Sequence, residues 1–330
     1  MRVTYFQRKR RDSTFSLEFI FNDIRERLGD KIESKVCIAP FYSNGIFRRL
    51  AIIFHAKLRE DEINHITGDN NFTGLLLKQS RTVLTIVDCA DYEIRTGIRG
   101  WLLRKVWINW PIRQSALVTT ISEASRQAIL RISACSAEKV VVIPVAVSKA
   151  YRYQPKPEIS ERPRILQVGT SINKNLERLA EAIKGLECTL VIVGRLGDVQ
   201  RRHLDVLEIN YENHVGLSTG ELTKEYEKCD LLAFASLYEG FGMPIVEAQI
   251  VGRPVVTSNL SSMPEVAGKG ACLVDPASIS SIRAGIERVL TDSEYRKTLV
   301  AEGRLNAKRF DAVNISDQYF AVYQGVHSKH

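Results

Sequence analysis

The chain lacks an apolar run long enough to span a bilayer, which takes about 20 residues. Its first residues, MRVTYFQRKRRD, are basic but carry no apolar segment before a cleavage site, so no secretory signal is expected. The six cysteines (Cys37, Cys89, Cys135, Cys188, Cys229 and Cys272) are scattered singly, and no C-x-x-C occurs. That signals neither a zinc site nor a redox pair, and it fits a reducing cytoplasm. No G-x-G-x-x-G follows a predicted strand, which argues against a nicotinamide-dependent dehydrogenase. No metal motif, repeat or low-complexity tract is present.

What is present is the composition of a globular enzyme. The 330 residues suggest two domains of ordinary size, and 45% hydrophobic with 25% charged residues allows a large core. The net charge of +8 is unevenly placed. Residues 1–150 hold 24 Lys+Arg against 15 Asp+Glu, whereas residues 151–330 hold 22 against 23. An excess confined to the first half suggests an anionic partner there: a membrane surface, a lipid phosphate or a nucleic acid. A mixed surface with a modest excess is the plain alternative.

Apolar runs of strand length alternate with helical patterns throughout. Strands are expected at Arg2–Gln7, Val36–Ala39, Ile63–Thr67, Thr82–Val87, Ala116–Ile121 and Val140–Ile143. Amphipathic helices fall between them, one starting after Ser122 as its N-cap. The stretch from Lys149 to Pro163 is polar and carries three prolines, as an interdomain linker would. A second alternation then runs to about Phe310, followed by a last helix. This predicts an α/β fold of two doubly wound parallel sheets, at 1–150 and 164–310, joined by a linker at 151–163. The last helix, 311–330, is a candidate to cross back to the first domain.

The most informative stretch is Ser236–Glu247, SLYEGFGMPIVE. A buried strand leads into Glu239-Gly240-Phe241-Gly242, and a helix with Pro244 at its start follows. Glycines permit a sharp turn and close approach of a ligand. The free N–H groups of a helix start then offer a place for a phosphate. Glu239 before the turn and Glu247 after it could accept hydrogen bonds from sugar hydroxyls, and the dipole is expected to favour the Glu247 charge in the first helical turn. Two solvated surface carboxylates on an ordinary strand–turn–helix are the plain alternative. Earlier, Val168-Gly169-Thr170-Ser171 leads to Lys174 at a helix start, where an ammonium can meet a diphosphate. Arg195 and Leu217 lie at further strand ends of the same domain.

The string E-G-F-G-M-P-I-V-E-A, followed by G-R-P-V-V-T-S and S-S-M-P-E-V-A-G, closely resembles the E-x7-E region of retaining glycosyltransferases of family 4. The resemblance covers roughly Arg164 to Phe310 well and the first half more loosely. It implies the GT-B architecture, in which two Rossmann-like domains face a cleft. It implies transfer of a hexose, such as mannose or glucose, from a nucleoside-diphosphate sugar to a glycan or lipid-linked acceptor in surface polysaccharide synthesis. Glu247 would hold the ribose and Glu239 the transferred sugar. Backbone N–H groups from Gly240 through Phe241 and Gly242 to Met243, with Gly169, Thr170, Lys174, Arg195 and Leu217, would complete the donor site. No metal or other cofactor is implied, nor a nucleic-acid partner. The enzyme would be cytoplasmic, peripheral at the inner face of the membrane.

Two departures stand out. The family's donor-phosphate arginine has no counterpart near Thr170 and Ser171, and its T-I-H-D histidine is replaced in Thr85-Ile86-Val87-Asp88. Asp88, with Asp69 and Asp91, is then an acidic candidate for catalysis beside Glu239 and Lys174, while His65 reads as a packed histidine. Arg11 is the basic candidate in the loop after the first strand. Trp101, Lys105 and Trp107 fall in Arg99–Arg113, where all three tryptophans of the chain interleave with basic residues, as at a membrane interface. A buried helix with a basic edge is the alternative. A nucleotide-sugar epimerase and a catalytically inactive sugar-nucleotide-binding subunit are the competing functions.

Overall fold

In a computed structural model, residues 1–9, 16–67, 70–89, 97–156 and 158–328 are described. Arg11, Asp69 and Asp91 lie outside them. The chain forms two compact units, one of Met1–Ala146 with Ala312–His330, the other of Val147–Asp311.

The first unit is built on six parallel strands: β1 (Arg2–Gln7), β2 (Glu33–Ile38), β3 (Ile63–Ile66), β4 (Thr82–Thr85), β5 (Leu117–Thr120) and β6 (Val140–Val142). Their order is β2-β1-β3-β4-β5-β6. The strands are apolar because helices cover both faces of a parallel sheet. Ser122 caps the helix Glu123–Ser133 by accepting the Ser125 N–H at 3.0 Å, as its position suggested. The tryptophan stretch is less regular than a single helix. An α-helical segment, Gly97–Arg104, passes into a π-helical turn, Lys105–Asn109, and back into Trp110–Arg113. Pro111 lies within this continuous run and has no N–H to offer, and the carbonyl four residues earlier, on Trp107, accepts the Asn71 amide at 3.0 Å instead.

The terminal helix Ala312–His327 belongs to this first unit. Tyr319 and Tyr323 pack with Tyr5, Phe21 and His65 in a fully buried aromatic cluster. The cluster is also a polar network. His65 has Tyr323 Oη 2.7 Å from Nδ1 and Thr85 Oγ1 2.7 Å from Nε2, and Tyr323 donates to Tyr5 Oη at 3.1 Å. His65 is therefore the packed histidine that the sequence suggested, and every polar atom of its ring is satisfied.

The second unit holds β7 (Arg164–Val168), β8 (Thr189–Val193), β9 (Tyr211–His214), β10 (Leu231–Phe234), β11 (Val255–Ser258) and β12 (Cys272–Val274). All pair in parallel, in the order β12-β11-β10-β7-β8-β9. The chain winds outward from β7 to β9, then returns to place β10 on the other side of β7. The topological switch point is thus between β7 and β10, and a crevice is expected at their carboxyl ends. The proline-containing stretch lies against this unit: the Gln154 N–H bonds the Val251 carbonyl at 3.1 Å, and Lys156 pairs with the buried Asp230 at 2.8 Å.

Burial holds His65 neutral and pushes its pKa down to about 3, against about 6.5 in an unfolded chain. Between those values the unfolded chain binds a proton that the fold does not. Stability should therefore fall as pH drops from about 6.5 toward 3, by at most about 1.4 kcal/mol per pH unit from this group. Urea midpoints measured across that window should show a shallower slope for His65→Gln than for the parent chain. Parallel slopes would mean that other groups set the acid sensitivity.

Candidate active site

Of the residues singled out in the second unit, Gly169, Lys174 and Glu239 come together at its switch point. Beyond β7 the chain turns at Gly169, with φ +94°, in the left-handed region that glycine tolerates. The lysine stem crosses this glycine so closely that a Cβ would come within 2.8 Å of Lys174 Cε. Any side chain there would displace Lys174. The next turn is fixed by Asn175, itself left-handed at φ +59°, whose amide donates to the carbonyls of Ala235 (3.0 Å) and Pro276 (2.8 Å). The first bond ties the end of β7 to the segment after β10, and the second ties it to the segment after β12. The Asn173 carbonyl does the same by accepting the Leu237 N–H at 2.8 Å.

Lys174 then reaches Glu239. Its Nζ donates to Glu239 Oε1 at 2.6 Å and lies 4.7 Å from the centre of the Phe234 ring. Asn173 Nδ2 donates to the Tyr238 carbonyl at 3.0 Å and to Glu239 Oε1 at 3.3 Å. Both partners of the ion pair are mostly shielded, with 18% of the lysine side chain and 13% of the glutamate side chain exposed. Solvent and salt therefore screen the attraction between them less than in a surface salt bridge.

The loop from Glu239 to Gly242 is held from behind. Ser261 Oγ donates to the Glu239 carbonyl at 2.7 Å. Ser262 Oγ reaches the carbonyls of Glu239 (2.9 Å) and Phe241 (2.7 Å). The Phe241 ring turns inward, edge-on to Phe310 at 5.5 Å, so only its backbone is available to a ligand. Gly242, at φ +109°, leads into the helix Met243–Val251. Pro244 has no N–H and the Ile245 N–H bonds the Gly242 carbonyl at 3.0 Å, so the Met243 N–H is the donor that remains at the helix start.

Glu247 is the fifth residue of that helix, past the first turn, and the structure corrects the expectation that the dipole favours its charge. Its carboxylate is buried, and Tyr226 Oη donates to Oε2 at 2.7 Å. Burial raises its pKa, and the hydrogen bonds from Tyr226 and Tyr151 offset this only in part. Neither tyrosine was marked by the sequence reading, because tyrosines in a helix and in a proline-containing segment read as ordinary packing.

Thr170 donates to the Arg195 carbonyl at 2.7 Å, which joins the turns after β7 and β8, and the Arg195 side chain is exposed. Leu217 is half-buried beside Gly216. In the first unit, Asp88 is exposed just beyond β4. Trp101 is 53% exposed, with Lys105 Nζ 4.7 Å from its ring centre. Trp107 instead is half-buried between Phe72 at 5.8 Å and the Arg49 guanidinium at 4.6 Å.

Among the described residues, Glu212, His214 and Glu225 bring three potential metal-ligand atoms within 4.8 Å of one another. Arg164 already occupies that cluster, bonding both Glu212 oxygens at 2.7 and 2.8 Å and lying 3.5 Å from Glu225. Its hydrogen bonds hold the Glu212 pKa near 2. Arg164 starts β7, so this network sits at the end of the sheet opposite Lys174.

Residues 152–306 match the family described as glycosyl transferases group 1. The chain is 27% identical over 291 residues to O-antigen chain mannosyltransferase B of Escherichia coli, covering 80% of this chain and 74% of that protein. It is 31% identical over 257 residues to MMP alpha-(1->4)-mannosyltransferase of Mycolicibacterium hassiacum, covering 71% of this chain and 62% of the relative's length. The fold is that of HepE from Anabaena, solved with UDP and glucose, at a TM-score of 0.78 and 18% identity over 98% of this chain and 99% of that one. Residues 152–306 of the second unit thus carry the match to glycosyl transferases group 1, and the fold is the GT-B fold seen in glycosyltransferases.

Two substitutions test the local geometry. Ser262→Ala removes a fully buried donor to two carbonyls, which should cost about 1–3 kcal/mol and loosen the loop. Faster amide exchange at Gly240 to Met243 should accompany the loss. Unchanged stability and exchange would show that the loop is held by other means. Glu247→Gln should leave the free protein at least as stable at neutral pH, because ionising a buried carboxyl with a raised pKa works against the fold. A clear fall in Tm for that variant would contradict the desolvation argument.

Proposed function

We propose that this protein moves a hexose from a nucleoside-diphosphate sugar to a hydroxyl of a glycan or lipid-linked acceptor in surface polysaccharide synthesis, with retention of configuration. The observation that carries this reading is the meeting of Lys174 and Glu239 at the β7/β10 switch point, beside a glycine-rich helix start. Without a donor, the cation and the carboxylate neutralise each other. A donor would exchange that pair for two better-matched contacts. Its diphosphate would take the Lys174 ammonium and the Met243 N–H at the helix start, and Glu239 would then accept hydrogen bonds from the sugar hydroxyls. Gly169, Thr170 and Arg195 would border the phosphates, Leu217 the base, and the backbone from Gly240 to Met243 the sugar. Glu247, braced by Tyr226 and Tyr151, would present its remaining oxygen to the ribose.

In this mechanism the glycosidic C–O bond breaks as the acceptor oxygen attacks the same face, and the departing phosphate oxygen takes the acceptor proton. Lys174 and the helix start stabilise the charge that develops on the diphosphate. Asp88 in the first unit is the candidate for orienting the acceptor hydroxyl. Mannose is the first sugar to test, since both curated relatives are named mannosyltransferases. A lipid-linked acceptor would bring the enzyme to a membrane surface.

Binding to UDP, GDP and their mannose and glucose derivatives tests the assignment. Lys174→Ala should weaken nucleoside diphosphate by roughly 1.5–3 kcal/mol and leave the nucleoside nearly unchanged. Glu239→Gln should spare nucleoside diphosphate but weaken the intact donor and slow turnover. If both variants bind every ligand as the parent does, the switch-point site is not the donor site.

A further inference from the structure

The first unit exposes more large apolar side chains than its fold requires, and they form a pattern. Along the helix Ile46–Lys57, Ile52, Ile53 and Ala56 face the core. The opposite side carries Ile46 (67% exposed), Phe47 (83%), Leu50 (45%) and Phe54 (58%), continued by Leu58 (83%) just past its end. The steps 47, 50, 54 and 58 trace one helical stripe. A helix covered by protein on one side only should be polar on the other, and this one is apolar on both. The neighbouring segment adds Ile98 (85%), Trp101 (53%) and Leu102 (52%). The two are joined where the Arg49 guanidinium lies on Trp107.

Charge selects the partner. From Ser34 to Arg59 the sequence has five basic residues and no acidic one, and from Gly97 to Arg113 four and none. Arg48, Lys57 and Lys105 are exposed beside the apolar stripe, and Glu60, which pairs with Lys57, is mostly covered. An apolar helix face flanked by an excess of cations matches a bilayer whose headgroups are anionic. A second protein copy would instead have to bring this positive face against itself. Among the described residues no helix is long and apolar enough to cross a membrane, so the contact would lie in the interface plane.

We infer that the helix Ile46–Lys57, with Trp101 and Lys105 of the segment whose Trp107 meets Arg49, is a docking face for an anionic phospholipid bilayer. Phe47, Leu50, Phe54 and Leu58 enter the acyl boundary, and Arg48, Lys57 and Lys105 meet the phosphates. The inference deepens the lipid-linked-acceptor reading and is independent of the donor assignment.

All three tryptophans lie in the segment Gly97–Arg113, whose Trp107 meets Arg49 of this helix, so intrinsic fluorescence reports on the region without a label. The full chain should show a blue shift of emission with phosphatidylglycerol vesicles, weaker at high salt, and little response to neutral phosphatidylcholine. Phe47→Ser with Phe54→Ser should reduce vesicle affinity about tenfold or more. The same variant should keep the parent's circular dichroism and its thermal shift with nucleoside diphosphate, since both side chains are already exposed. Lys105→Glu should weaken binding only where salt is low. No binding to anionic vesicles at low salt, equal binding to neutral ones, or undiminished binding by the double variant would overturn the inference. So would a parent dimer that the double variant converts to monomer, since the face would then be a self-interface. Absence of any nucleotide-induced thermal shift in the parent chain would instead count against the donor site alone.

Discussion

The second unit depends on one constraint: the turns after β7 and β10 must be held together at the point where the sheet reverses its winding. Backbone pairing cannot do this, because the strands have ended. Side chains do it instead. Asn175 bridges from one turn to the Ala235 carbonyl of the other and Asn173 anchors Tyr238, while Lys174 joins Glu239 through a mostly shielded ion pair. Gly169 is the price of that arrangement, since no Cβ fits beneath the lysine stem. The serines at 261 and 262 then fix the loop from its far side. The proposed donor site would thus use backbone that the fold must pin in any case.

The first unit solves a different problem with the same means. Its sheet is closed on one face by a helix from the far end of the chain, and a buried polar network ties the two together. Tyr323 and Tyr5 share a hydrogen bond, and His65 connects Tyr323 to Thr85 on β4. Each member is satisfied, so the network does not carry the penalty of an unpaired buried group. It also sets the pairing of the terminal helix more narrowly than apolar contact alone, because hydrogen bonds have direction and dispersion does not.

Much of this was legible from the chain. Strand positions followed from short apolar runs, the fold class from their alternation with helices, and the site from one glycine-rich turn between two glutamates. The resemblance carried the roles, and local spacing could only make them feasible. What stayed hidden depends on contacts between distant residues. Tyr226 and Tyr151 look like any packed tyrosines until they are seen against Glu247. The sign of the Glu247 environment was misjudged for the same reason: helix position suggests a favourable dipole, but burial outweighs it. The π-helical turn at Lys105–Asn109 leaves no trace in a pattern that reads as one helix. The stripe from Phe47 to Leu58 escaped notice because a helix apolar on two sides reads simply as a buried one.

The two glutamates show how one motif can hold two kinds of carboxylate. Glu239 meets a cation, and its charge is matched in the fold. Glu247 meets only neutral hydroxyl donors in a buried setting, so its charge is poorly matched until a ligand arrives. A ribose supplies further hydroxyl donors to that same carboxylate, and its binding would relieve part of the desolvation cost. A diphosphate would do the opposite at Glu239, drawing Lys174 away and leaving the carboxylate for the sugar. Ligand affinity would then come from redistributing charge interactions already present, with little movement of the backbone. Such a site is rigid before the donor arrives, and electrostatic stabilisation of the leaving group requires that rigidity.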